Sequence, residues 1–241
     1  MEDQEAVSDS ITLGRDDSHY ISQVLRMKTG EQLKVVLKDG IEALCEVCEI
    51  TKDEVTLKIT GTEKNTSEPP YGIVLYQSVS KGERMELTIQ KCVELGVTKI
   101  VPVFSSRCVV RPDEPKKQKS KTERWQKIAL EAARQSGRGI IPEVAQPLFF
   151  AQAVEDSRRC DTVLFPWEEE HGETLKQALS HLEKKPQSIA VFIGPEGGYD
   201  VSEAELAREA GAVTVTVGER ILRTETAGAA VLAMLLYEFE L

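Results

Sequence analysis

The chain has no run approaching the roughly 18 consecutive apolar residues that a membrane-spanning helix needs. Its opening, Met1–Ser10, carries Glu2, Asp3 and Glu5 where a signal peptide carries positive charge. Both absences point to a cytoplasmic protein with no membrane partner. Five cysteines, an odd number, suit reduced thiols better than a disulfide framework. The one C-x-x-C, Cys45 and Cys48, lies in Ile41–Ile50, where alternation puts Ile41, Ala43, Cys45 and Val47 on one face and Leu44, Glu46 and Cys48 on the other. Thiols on opposite faces of a strand cannot share a metal. The three histidines, His19, His171 and His181, are dispersed, and G-x-G-x-x-G, the P-loop, H-E-x-x-H and G-x-S-x-G are all missing. Nicotinamide, ATP, metal-site and serine-hydrolase chemistry are thereby disfavoured. A basic excess is missing too: 30 Lys and Arg against 40 Asp and Glu give a net charge of −10, the reverse of a usual nucleic-acid binder. Screening limits each charge to about 8 Å at physiological salt, so local placement can outweigh that total.

What is present divides in two. Residues 1–70 read as a small β domain: Leu33, Val35 and Leu37 alternate with Lys34 and Lys38, Asp39–Gly40 supplies a hairpin turn, and Val55, Leu57 and Ile59 repeat the alternation. A helix is expected over 18–27, from Ile21, Val24 and Leu25, with Gly30 as its stop, and 61–70 reads as a linker. From Tyr71 to the end, strands at 73–79, 99–104, 162–165, 189–193 and 213–217 alternate with helices at 83–95, 122–135, 173–183, 201–210 and 226–237. That is the α/β pattern, and it favours a mostly parallel sheet covered on both faces.

Two loops stand out. Ala190–Ile193 is a buried-strand run ending in Gly194-Pro195-Glu196-Gly197-Gly198, after which Asp200 can cap a helix with Glu203 in capping-box relation. Glycine lets backbone approach a ligand, and a loop between a strand's C-terminal end and a helix N-terminus is where α/β sheets bind one. One βα unit later, Gly218-Glu219-Arg220-Ile221-Leu222-Arg223-Thr224-Glu225-Thr226-Ala227 leads into an apolar final helix that Thr224 or Thr226 can cap. Parallel strands place both loops on one sheet edge.

Together with Lys81-Gly82-Glu83-Arg84-Met85-Glu86, Gln90-Lys91, Glu94-Leu95-Gly96, Glu131-Ala132, Gln135-Ser136 and Arg138, these loops resemble the ribosomal RNA small-subunit methyltransferase E family of the SPOUT superfamily, from about Ser18 onward. The resemblance implies a PUA-like β-barrel domain followed by a SPOUT domain with a trefoil knot, S-adenosylmethionine (SAM) as cofactor, a homodimer, and methylation of a uridine at N3 in small-subunit rRNA, free or as the assembled 30S particle. Two departures are visible. The acidic Met1–Glu5 stands where members usually carry a basic-aromatic segment, and His19-Tyr20 replaces a tandem histidine.

By position, SAM would be held by Leu164 and Phe165, by Gly194, Glu196, Gly197 and Gly198, and by Val217, Gly218, Ile221, Leu222, Thr226 and Ala227. Methylating N3 requires removing a weakly acidic imide proton while a methyl group passes in line, with no metal required. Arg223 is the candidate cation; Glu225 and Glu196 are weaker candidates for the base, since either carboxylate could instead anchor loop amides. RNA contacts are expected at His19, Arg26, Lys81, Arg107, Arg111, Arg134 and Arg138, the last two at i, i+4 spacing with planar forks suited to phosphate. The lysine run 116–121 adds basic charge or is a solvated face, and Glu86, Gln90 and Glu94 form a polar helical line. Two rivals are a SPOUT enzyme acting on another base and a non-catalytic RNA-binding protein with a degenerate knot domain.

Overall fold

A computed structural model describes residues 9–37 and 40–240, which divide after Thr66 into two compact units. The acidic opening and most of the Asp39–Gly40 turn lie outside the described residues. None of the described helices is long and apolar enough to cross a membrane.

The first unit is a four-stranded antiparallel sheet in the order β1-β4-β3-β2, built from β1 (Ser10–Leu13), β2 (Gln32–Val36), β3 (Ile41–Ile50) and β4 (Val55–Lys64). Alternation buries Ala43, Cys45 and Val47 of β3 against Val55, Leu57 and Ile21, and leaves Cys48 exposed. Ile41 is 42% exposed at the strand's start. The helix expected over 18–27 is also different: α1 (Arg15–His19) runs into a π-helical turn, Tyr20–Val24, closed by Leu25 N–H on Tyr20 O at 2.9 Å. Of its apolar residues only Ile21 is buried, while Val24 and Leu25 face solvent, so no packing stripe holds a regular helix. The expected linker begins later than read. β4 continues through Lys64 because Glu63 and Lys64 pair with Glu42 and Ile41, and Lys34 bridges Glu42 and Glu63.

The second unit is a seven-stranded parallel sheet in the order β11-β9-β10-β5-β6-β7, with β8 also on β6. Its strands are β5 (Gly72–Ser78), β6 (Lys99–Phe104), β7 (Glu143–Val144), β8 (Leu148–Phe149), β9 (Thr162–Pro166), β10 (Ser188–Ile193) and β11 (Val213–Val215). One face packs on α2 (Arg84–Glu94), α3 (Pro115–Ser136), α5 (Leu175–Ser180) and α7 (Thr224–Phe239); the other packs on α4 (Phe150–Ser157) and α6 (Val201–Glu209). The strands feed both cores by alternation: Ile189, Val191 and Ile193 go one way, Ala190 and Phe192 the other. The lysine run is helical, since α3 starts at Pro115, a residue pre-set for the first helical turn. α4 is a helix without a sequence signal: its N-cap is Phe149, which has no side-chain acceptor.

Candidate functional site

The C-terminal ends of β9, β10 and β11 lie side by side, and three loops rise from them: 167–174, 194–200 and 216–223. Each is tied to a neighbour. Trp167 N–H donates to Val215 O at 3.0 Å, Leu175 N–H to Thr216 O at 2.9 Å, and Thr216 N–H to Glu173 O at 2.8 Å. Gly198 sits at φ +67°, the left-handed conformation that favours glycine, and a Cβ there would also displace the Glu168 carboxylate.

The glycine-rich loop is held along its length. Glu196 accepts from Lys81 N–H at 3.1 Å and from Arg84 Nη1 at 2.7 Å, tying the loop to the start of α2. Partial burial pulls its pKa upward, but the N–H donors of its own amide, Lys81 and Arg84 outweigh that and hold the carboxyl below the ordinary range. Arg107 donates to Gly197 O at 3.2 Å and pairs with Asp200 at 3.1 Å. Asp200 caps α6 as expected, and Glu203 accepts from Asp200 N–H at 3.0 Å and from Ser106 N–H at 2.8 Å. Thr224 does not cap α7, whose N-cap is Arg223. Its buried hydroxyl donates instead to Gly194 O at 2.7 Å and accepts from Gln77 Nε2 at 2.8 Å, joining both loops to β5.

The loop 216–223 is open by contrast. Gly218 has φ +121° with nothing within 4 Å of a Cβ position, and Ile221 is 86% exposed. Val217 and Leu222 are half-buried, Thr226 is exposed, and Ala227 packs on the α2–α7 core. The exposed Arg223 side chain has no hydrogen-bond or ion-pair partner among the described residues, and Glu225 stands in the first turn of α7. Leu164 is 1% and Phe165 0% exposed, one in each core, so their side chains build the sheet and any ligand contact at this strand end would fall to the backbone.

The basic residues separate in the same way. His19 and Arg26 are exposed in the first unit, Arg26 at φ 55°. Lys81, Arg107 and Arg111 are exposed around the glycine-rich loop and the end of β6; Arg134 is half-buried 3.8 Å from Glu131. Arg138 overturns the phosphate-grip reading. Gly137, in the left-handed conformation, ends α3 before it, and its guanidinium is buried on Glu68 at 2.5 Å and on the carbonyls of Val93 and Val97 at 2.8 Å each. Of the polar helical line, Glu86 pairs with Arg124 of α3 at 2.6 Å and Glu94 with Lys91 at 3.0 Å. Sequence reasoning missed Arg84 and Gln77. The signal for Gln77 was a polar residue inside an apolar strand run, which needs a partner when buried.

The parallel sheet with its glycine-lined edge and the separate β unit are, by family match, those of an RNA methyltransferase with a PUA domain. The RNA methyltransferase domain family matches residues 67–236 and the RNA methyltransferase PUA domain matches 13–60. Ribosomal RNA small subunit methyltransferase E of Bacillus subtilis is 36% identical over 241 residues, covering 99% of this chain and 93% of that one. The Synechocystis enzyme of the same name is 32% identical over 96% of this chain and 74% of its own. The structure of the Neisseria gonorrhoeae enzyme bound to S-adenosyl methionine superposes with TM-score 0.84 at 32% identity, covering 98% of this chain and 95% of that one. The chain belongs to the ribosomal RNA small subunit methyltransferase E family.

Proposed function

We propose that this protein methylates a uridine at N3 in small-subunit ribosomal RNA, free or assembled, with SAM as methyl donor. The observation that carries it is the junction of the glycine-rich and Ile221–Ala227 loops at one sheet edge, inside a family match spanning both units. The site fits SAM: Gly218, with open space at its Cβ position, lets backbone approach a ligand beside the glycine-rich loop, and Val217, Ile221 and Leu222 would wall it. When bound, SAM supplies an electrophilic methyl group. The protein's part is to orient the base, withdraw or disperse the imide proton and stabilise the developing anion. Arg223, exposed and without a hydrogen-bond or ion-pair partner among the described residues, is the cation for that anion. Glu225 is the better-placed candidate base, because Glu196 already accepts from Lys81 and Arg84. The trefoil knot belongs to this proposal as an expectation that family membership carries. The test is mass spectrometry of rRNA nucleosides from a deletion strain and from the same strain complemented. Loss of 3-methyluridine restored by the gene is expected; an unchanged level sinks the reading.

The protein is proposed to act in the cytoplasm as a homodimer. Val231, Leu232 and Leu235 bury one face of α7, which leaves Ala233, Met234 and Tyr237 exposed as an apolar, partly small-residue face suited to a two-fold contact. Sedimentation at micromolar concentration should give twice 26.8 kDa; a monomer overturns this.

A further inference from the structure

Beside the glycine-rich loop, on the α4 and α6 face of the sheet, is a cleft of about 330 Å³, near the small end of ligand sites. Its walls include Phe104, Ser105, Ser106, Arg111, Phe149 and Phe150. Phe149 is 58% exposed, although it sits at the N-cap of α4, where a hydroxyl or carboxylate would serve the helix. At the helix start the Gln152 Oε1 accepts from Phe149 N–H at 3.1 Å. The local sequence thus gives up a cap to hold a bare phenyl ring over a cleft. Phe104 flanks it, ring centroids 6.1 Å apart and tilted 45°. Arg111 is exposed with no partner among the described residues. The cleft's acidic group is engaged within the protein, since Glu203 accepts from Ser106 N–H, Ser106 Oγ at 2.9 Å and Asp200 N–H. Those bonds also fix the cleft to the glycine-rich loop, as does Arg107 on Gly197 O.

We propose that this cleft is a subsite for one nucleotide flanking the methylated base, its base stacked on Phe149 and its phosphate on Arg111. This rests on the RNA methyltransferase reading above. Every base has a π face, so an exposed aromatic beside an unpaired guanidinium recognises a splayed single-stranded nucleotide without reading its identity. The site acts on substrate binding rather than on the transferred methyl.

Full-length Phe149→Ser and Arg111→Ala test it on assembled small subunits and on protein-free rRNA. Phe149→Ser supplies the missing cap, so its Tm is unchanged or higher, yet its KM for RNA should rise about 10-fold with kcat and SAM Kd unchanged; Phe149→Tyr should stay near wild type. Arg111→Ala should weaken RNA binding and lower the salt slope by about 1. If the wild type transfers no methyl, the functional reading falls with it. A methylating wild type whose variants keep its KM overturns the subsite alone. A KM rise on assembled subunits with unchanged affinity for protein-free rRNA gives the cleft to a ribosomal protein and also overturns it.

Discussion

The two loops that make the candidate site are held in opposite ways. From Gly194 to Asp200 the chain is fixed by Thr224, by Lys81 and Arg84 through Glu196, and by Arg107. From Thr216 to Arg223 the chain is tied by backbone hydrogen bonds at its first residues, and Ile221 is 86% exposed. One loop is preorganised and the other awaits a cover. Preorganised dipoles stabilise charge without reorganising, while an open loop can close over a ligand and exclude water. Under the proposed function, the first loop would orient and the second would contact substrate.

The largest expected effect comes from the open loop. Arg223→Ala should lower the single-turnover methylation rate about 100-fold, the lower end for losing one transition-state donor at about 2.7 kcal/mol. Because the exposed side chain has no hydrogen-bond or ion-pair partner among the described residues, SAM affinity by calorimetry and Tm should hold. Near-normal methylation removes Arg223 from the chemistry, and a joint loss of SAM binding makes the open loop structural after all.

In the stitched loop, Thr224→Val leaves Gly194 O without its donor and Gln77 without one acceptor in a buried setting, which costs about 1–3 kcal/mol. The expected outcome is a Tm lower by about 2–4 °C per kcal/mol and a SAM affinity weaker by about tenfold, both restored by Thr224→Ser. A serine variant that behaves like valine would credit the methyl group's packing and not the hydroxyl.

What was legible in the sequence follows the same division between local and distant partners. The Asp200–Glu203 capping box spans three residues, and the strand ends at Phe104 and Ile193 follow from apolar runs, so these are readable in place. Arg138 was misread because Glu68, its partner, lies 70 residues upstream, and a guanidinium's burial has no local signature. Leu164 and Phe165 were assigned by their distance from the loop, but alternate residues of a central strand point into two cores until the strand ends. α4 was missed because its cap position holds an apolar ring.

The smallest effect sharpens the comparison with the third loop, 167–174, which lies against β11. There the Thr214 hydroxyl, then Gly172 N–H, with Arg208 and Glu173 N–H adding, hold the Glu170 carboxyl at about 2 against partial burial. Glu170 accepts from Thr214 Oγ1 at 2.6 Å and from Arg208 Nη2 at 2.8 Å. A depressed carboxylate contributes stability that is complete above its unfolded value near 4.5 and lost as pH falls toward 2. Glu170→Gln, which does not titrate, should therefore be less stable than wild type at pH 6 by about 1 kcal/mol, a Tm gap of about 2–4 °C. The gap should close between pH 4.5 and pH 2, followed by thermal scans across that range. A gap that never opens at pH 6 leaves the loop held by its backbone bonds to Val215 and Thr216, and a gap that persists below pH 2 assigns Glu170 a packing role in which its charge has no part.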